Sequence, residues 1–205
     1  METPWEHFFV EKIKKIFTEK KSVIDIGGGL RLMKGKNNRY DASREWIRPH
    51  LSNADYKILD LVDTYHPDMV GDIHNLPFPD NSQDAIICIA VLEHVENPIL
   101  AFREIHRVLK SGGYCFVYVP FLYYYHAEKG YYGDFWRFTE DSLRWLSKPF
   151  SSVETMPVRG AIETWIKLSP LGRIRFLHPF WYFLDMMSGK IRTKQVSGYN
   201  VFLIK

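Results

Sequence analysis

The 205 residues predict an α/β domain whose mostly parallel sheet carries helices on both faces. Short apolar runs such as "SVIDI", "AIICIAV" and "YCFVYVP" are nearly uninterrupted, as strands buried on both sides are. Amphipathic stretches alternate with them, the pattern of βα units. The first apolar run ends in Asp25 and a glycine cluster, which marks a close backbone approach where a strand turns. With 46% hydrophobic and 25% charged residues the chain reads as one ordinary globular domain over 1–205, excluding a disordered chain or a disulfide scaffold.

The elements follow in order. Residues 1–22 hold an N-terminal amphipathic helix, with Phe9, Ile13, Ile16 and Phe17 at helical spacing against Lys and Glu. "KSVIDIGGG" is the first strand and its turn. A basic, irregular stretch from Gly29 to Tyr40 leads to Asp41, an N-cap for the short helix "ASREWI". "DYKILDLVD" and "DAIICIAV" are the next strands, separated by "PDMVGD" and the turn-rich "NLPFPDNS". Asn97 and Pro98 open a helix with Ile99, Phe102, Ile105, Val108 and Leu109 on one face, closed by Gly112 and Gly113. The strand "YCFVYVP", a helix from Asp141 to Leu146, and the strands "SSVETMPV" and "YNVFLIK" complete the domain.

Charge and cysteines bound the function. The net charge of +3 is too small for a nucleic-acid platform, so no nucleic-acid partner is expected. Cys88 and Cys115 lie inside apolar runs, which points to buried reduced thiols. Acids precede any apolar stretch at the N-terminus, and no run approaches the roughly 18 residues a spanning helix needs. A cytoplasmic protein is the expectation.

The glycines discriminate between ligands. A dinucleotide fingerprint from Gly27 requires glycine where the chain has Leu32, which argues against a nicotinamide oxidoreductase. A P-loop fails because Gly35-Lys36 is followed by Asn37. What remains is D-x-G-x-G, Asp25 to Gly29, followed by Asp60 in "YKILDLVD", Asp72 in "VGDIHNLPFPDNSQDAI", and "VLEHVENPILAFREIHRVLKSGGY". Over about residues 23–139 these resemble the class I S-adenosylmethionine-dependent methyltransferases, in particular the methyltransferase type 11 group. The resemblance implies a Rossmann-like, seven-stranded, mostly parallel sheet with its last strand antiparallel, and S-adenosylmethionine as cofactor. It assigns cofactor binding to Asp25, Gly27, Gly28, Gly29, Asp60, Leu61, Asp72, Ile73 and Ala90. In that assignment Asp60 takes the ribose diol, Asp72 and the Ile73 backbone take the adenine edge, and Leu61 flanks the ring. The glycine-turn N–H groups face the methionine carboxylate, and a carbonyl near Ala90 its ammonium. One departure is Arg31, where the commoner family pattern has a third glycine.

The acceptor side follows the fifth strand. Between Tyr114 and Phe138, 12 of 25 residues are aromatic, dense enough to wall a sugar or a flat acceptor and to shield a sulfonium. His126 is the candidate general base or acceptor-positioning group. Asp134 and Arg137 join it as candidate catalytic residues, with an ion pair bracing the loop as their alternative role. His94 reads as a placement or capping residue, and His66, His74, His106 and His178 lack a second ligand at metal spacing, so no metal is expected.

Residues 161–195 read as an insertion before the last strand. Its basic residues are Lys167, Arg173, Arg175, Lys190, Arg192 and Lys194; its aromatics are Trp165, Phe176, Phe180, Trp181, Tyr182 and Phe183. It suits a packed lid, a dimer face or peripheral contact with anionic lipid. The expected function is methyl transfer to a small-molecule or glycan acceptor, O-methylation of a saccharide or other cell-surface glycan precursor being preferred on the subgroup resemblance. The rival is a non-enzymatic protein that keeps the cofactor pocket and uses the aromatic loop and insertion to bind a partner.

Overall fold

The structure is a computed structural model and describes residues 3–35, 39–174 and 177–205. Lys36, Asn37, Arg175, Phe176 and the Arg173 side chain, named above, lie outside the described residues. Seven strands form one sheet: β1 (Ser22–Ile26), β2 (Asp55–Asp60), β3 (Met69–Val70), β4 (Gln83–Ile89), β5 (Leu109–Pro120), β6 (Ser152–Val158) and β7 (Gly198–Ile204). Their order is β3-β2-β1-β4-β5-β7-β6, and β7 runs antiparallel to both its neighbours. The fold class expected from the sequence is therefore the one observed, down to the reversed last strand.

Helices α1 (Pro4–Glu19), α2 (Arg48–Leu51), α3 (Pro98–Val108), α4 (Glu140–Leu146), α5 (Ala161–Leu168) and α6 (His178–Met187) surround the sheet. One face packs Ala101, Phe102, Ile105 and Val108 of α3, with Leu143 and Leu146 of α4, against β4, β5 and β7. The other face is covered by α1. Thr3 and Glu6 form a capping box at its start, and Ile13, Ile16 and Phe17 are fully buried against β1, β4 and β5. A βαβ unit ordinarily covers this face with the helix between its first two strands. Here that connection is only a 3-10 turn over Ala42–Ile47 and the single turn α2, so a helix preceding β1 takes the place.

Two local expectations are corrected. Helix α3 ends at Val108, and Gly112 and Gly113 belong to β5, where the β4 pairing shifts register between Gln83 and Ala85. Gly112 sits at φ +70° in that irregularity. Ile99 is 40% exposed, because the buried stripe of α3 runs through Pro98, Ala101, Phe102, Ile105 and Val108. Cys88 and Cys115 are buried free thiols, and burial raises both above the ordinary thiol value.

The register positions the site. Ile26 pairs with both Leu59 and Cys88, and Asp60 pairs with Val70. Gly27, Asp60 and Ala90 thus leave three neighbouring parallel strands at the same edge of the sheet, the edge at which ligands bind in open α/β folds.

Because α1 supplies a whole face of the core, Phe17→Ala is expected to cost about 3–5 kcal/mol of unfolding free energy. Ile99→Ala on the outside of α3 should cost less than about 1 kcal/mol. Urea denaturation midpoints compare the two, and similar losses would contradict the assigned role of α1.

Candidate active site

A cleft of about 1370 Å³ opens at the carboxyl ends of β1, β2, β4 and β5. That is above the roughly 300–1,000 Å³ of a single small-ligand pocket, and leaves room for a cofactor and an acceptor together.

The glycine turn forms its cofactor end. Gly27 and Gly28 have φ +75° and +60°, and a Cβ on Gly27 would stand 2.5 Å from Val91 Cγ2. A Cβ on Gly29 would stand 2.6 Å from Ile89 Cβ. Asp25 lies beneath the turn, fully buried, and is not among the residues lining the cleft. Its carboxylate accepts Gly29 N–H and Leu30 N–H at 3.0 Å each, and Tyr56 Oη–H at 2.8 Å. Desolvation raises this carboxyl to about 6 against the opposing pull of those donors.

The expectation that the turn presents free N–H groups to a carboxylate is corrected. Gly27 N–H donates to Leu59 O, Gly28 N–H to Asp25 O, and Arg31 N–H to Gly28 O, so with the two bonds to Asp25 the turn's donors are spent internally. Cations surround the turn instead, with Arg31, Arg39 and Arg44 lining the cleft. Arg39 donates to Gly27 O, Arg44 to Gly29 O, and Arg48 to Leu32 O. Burial and then the charge of Arg31 lower the Arg44 guanidinium from its ordinary value, which favours an anion nearby. Sequence reasoning missed Arg39 and Arg44. The basic spacing of this stretch was visible, but not which carbonyls it would meet.

Asp60 and Asp72 project at the ends of β2 and β3. Asp60 is mostly buried, accepts Val62 N–H at 3.4 Å and pairs with Arg39 Nη2 at 3.1 Å. Arg39 also stacks 4.3 Å from the Tyr65 ring centre, and its Nε is buried without a hydrogen-bond partner. Asp72 accepts His74 N–H at 2.9 Å in an Asx turn and faces His74 Nδ1 at 2.8 Å, with half its side chain exposed. Leu61 is 59% exposed and Ile73 is buried; both line the cleft with Gly28 and Ala90, the last at φ +55°.

At the other end, residues 121–138 leave β5 and return. Phe135 and Trp136 N–H both donate to Glu93 O, and Trp136 Nε1–H to Val95 O, so the loop is fastened to the end of β4. Tyr118, Tyr123, Tyr131, Tyr132 and Phe135 line the cleft, Phe116 lies between cleft and core, and Tyr114 and Phe138 belong to the core. The aromatic excess thus serves both the sheet and the cleft.

His126 reaches the cleft, but Asp134 and Arg137 do not line it. Arg137 grips Asp134 through two parallel bonds of 2.5 and 2.7 Å, and Asp134 also accepts His126 N–H at 2.8 Å. This geometry suits the loop-bracing ion pair, the alternative role given to the two residues from the sequence. His126 Nδ1 meets Tyr124 O at 2.9 Å, and its Nε2 stands 3.7 Å from Glu93 Oε1; that carboxylate holds the imidazole above its ordinary value. Glu93 is 1% exposed and is the group that sequence reasoning passed over beside His94.

Within 161–195 the described residues include α5 and α6, with 3-10 turns at Pro170–Arg173 and Lys190–Arg192. Asp185 of α6 accepts Ile162 and Glu163 N–H, capping α5, and Gly160 leaves room for it. Lys167 and His178 line the cleft, so the segment walls its acceptor end, while Trp165, Phe180, Phe183 and Met187 are exposed on its outside. Among the described residues no helix is long and apolar enough to cross a membrane.

Comparison with known proteins agrees with this geometry. A family model described as a methyltransferase domain matches residues 40–117. The demethylmenaquinone methyltransferase of Thermotoga maritima is 33% identical over 124 residues, 55% of this chain and 48% of that protein. The chain spans from 16% to 48% of the length of this and the other curated relatives first matched. A methyltransferase structure from Archaeoglobus fulgidus superposes with TM-score 0.61 at 12% identity, covering 97% of this chain and 92% of the other. One from Mesorhizobium loti gives 0.55 at 14%, covering 95% and 96%. The fold is the one these methyltransferase structures share, and the matched stretch is similar to a methyltransferase domain. The likeness to the family model is confined to residues 40–117. That match begins after Arg31 and the glycine turn, the region where the usual helix is missing.

The Asp134–Arg137 pair has a pH signature. Arg137, then the His126 N–H, holds the Asp134 carboxyl down to about 2 despite burial. Its stabilisation is therefore complete above the unfolded value near 4 and is lost as pH falls through 2, about 2 kcal/mol in all. Denaturant titrations between pH 5 and pH 2 should show a shallower acid loss for Asp134→Asn than for the parent; parallel curves would remove the pair from loop stability.

Proposed function

We propose that this domain transfers the methyl group of S-adenosylmethionine to a heteroatom of an acceptor held between the 121–138 loop and the ends of β4 and β5. The observation that carries the reading is the convergence of the glycine turn, Asp60 and Asp72 at one sheet edge, opposite an aromatic wall. When bound, the cofactor supplies an electrophilic methyl group on its sulfonium. The residues fit it: Gly28, Asp60, Leu61 and Asp72 line the cleft together, and the orphaned Arg39 Nε beside Asp60 can donate to a ribose oxygen. In this reading Asp60 accepts the diol, Asp72 and Ile73 meet the adenine edge over Leu61, and Arg31 and Arg44 take the methionine carboxylate.

At the acceptor end Tyr123, Tyr131, Tyr132 and Phe135 offer ring faces and exclude water, while His126 Nε2, turned toward Glu93, orients an acceptor hydroxyl and draws its proton. A saccharide hydroxyl suits this wall, supported by the aromatic faces and by the subgroup resemblance. A flat quinone-like acceptor is the second reading, supported by the demethylmenaquinone methyltransferase among the relatives.

Calorimetry with S-adenosylhomocysteine is expected to show binding that Asp60→Asn, which preserves shape, weakens by about tenfold or more. Labelled methyl groups should pass from cofactor to sugar-nucleotide or quinol acceptors; binding without transfer to any acceptor would favour the non-enzymatic rival. Because Asp25 accepts three donors only when ionised and titrates near 6, product affinity should fall as pH is lowered through 6. An affinity constant between pH 7.5 and 5 would remove Asp25 from control of the turn.

A further inference from the structure

Glu93 is a deeply buried charged group of the acceptor end. Its side chain is 1% exposed, its Oε2 is buried without a hydrogen-bond partner, and among the described residues no lysine or arginine forms an ion pair with it. A buried carboxylate with no compensating charge is costly, so its surroundings have to supply one. What surrounds it is imidazole: Oε1 stands 3.9 Å from His94 Nε2 and 3.7 Å from His126 Nε2.

Both rings are held from behind. His94 Nδ1 meets Gly133 O at 2.7 Å and His126 Nδ1 meets Tyr124 O at 2.9 Å. A carbonyl can only accept, so each Nδ1 carries the proton, and in the neutral ring each Nε2 presents a lone pair toward Glu93. Fixing the tautomer of a metal-ligating histidine through its distal nitrogen is the usual outer support of such sites. The rings are also locked laterally, His94 against Tyr132 at 4.3 Å and His126 against Tyr123 at 5.2 Å between ring centres.

We propose that Glu93, His94 and His126 form a binding site for a divalent transition-metal ion, with an open coordination position toward the acceptor. Two imidazoles and one carboxylate suit zinc, iron or manganese, and three protein ligands leave room for a further oxygen ligand. The three ligand atoms lie within 4.8 Å of one another. Tetrahedral bonds of roughly 2.1 Å would bring them to about 3.4 Å apart, a contraction available by turning the rings. The proposal departs from the sequence-based expectation of no metal, because His94 and His126 are 32 positions apart and meet only through the return of the loop to the end of β4. Resting on the methyl-transfer reading, the ion would hold the acceptor oxygen and ease loss of its proton. That role replaces the one given above to His126, since Nε2 cannot both bind a metal and take a proton.

The test uses the full chain stripped with EDTA and titrated with Co²⁺ and Zn²⁺. The expected result is one Co²⁺ per chain at micromolar concentration, with visible absorption of a low-symmetry site. His126→Ala and His94→Ala, each with the parent's melting temperature, should weaken uptake by about a hundredfold, and Glu93→Gln should do likewise. Failure to take up a stoichiometric ion, or uptake unchanged in His126→Ala, would overturn the proposal and leave a protonated His126 paired with Glu93. S-adenosylhomocysteine affinity in the same samples reports separately on the cofactor reading: loss of metal with product binding intact removes this proposal alone.

Discussion

The Asp25 carboxylate is the constraint on which the cofactor end depends. A charge with no access to water is held by Gly29 N–H, Leu30 N–H and Tyr56 Oη–H, and in holding it they fix the turn. Gly27 and Gly28 then adopt left-handed backbone without penalty, and Gly29 passes beside Ile89 where a larger residue would collide. Since Tyr56 belongs to β2, the same carboxylate ties the turn after β1 to the neighbouring strand that carries Asp60.

With the turn's donors spent inward, its carbonyls are left to be satisfied from outside. In this chain guanidinium groups do so, Arg39 on Gly27, Arg44 on Gly29 and Arg48 on Leu32, where a βαβ unit ordinarily runs into a helix. The missing helix is made good twice: electrostatically by these arginines, and in packing by α1, whose Phe17 meets the Tyr56 ring. Arg44 stacks on Phe9 of α1, so the two substitutions touch.

How much of this was legible in the sequence depended on the range of the interaction. A mostly parallel sheet with carboxylates at its strand ends follows from apolar runs and their spacing, whereas the reversed last strand was legible only through the family resemblance. The Asp134–Arg137 pair, three residues apart, was legible as a brace; that it lies behind the cleft was not. Glu93 looked unremarkable because its burial is imposed by a loop that arrives some forty residues later. The arginine contacts were hidden for the same reason, and the end of α3 was misplaced because Gly112 and Gly113 mark a strand irregularity as well as they would a helix stop. Local patterns state what a segment prefers, whereas the partners of a long side chain are set by tertiary return.

The pairing of Arg39 with Asp60 has a consequence for sequence drift. Each is mostly buried and each neutralises the other before any ligand arrives. Losing one partner strands a desolvated charge, which costs more than removing both together. Substitutions at these positions are therefore coupled, and a lineage that changed one would be under pressure to change the other whether or not it still bound a nucleoside. Covariation between positions 39 and 60 among close relatives would then record the charge balance of the ligand-free fold as much as the needs of the ligand.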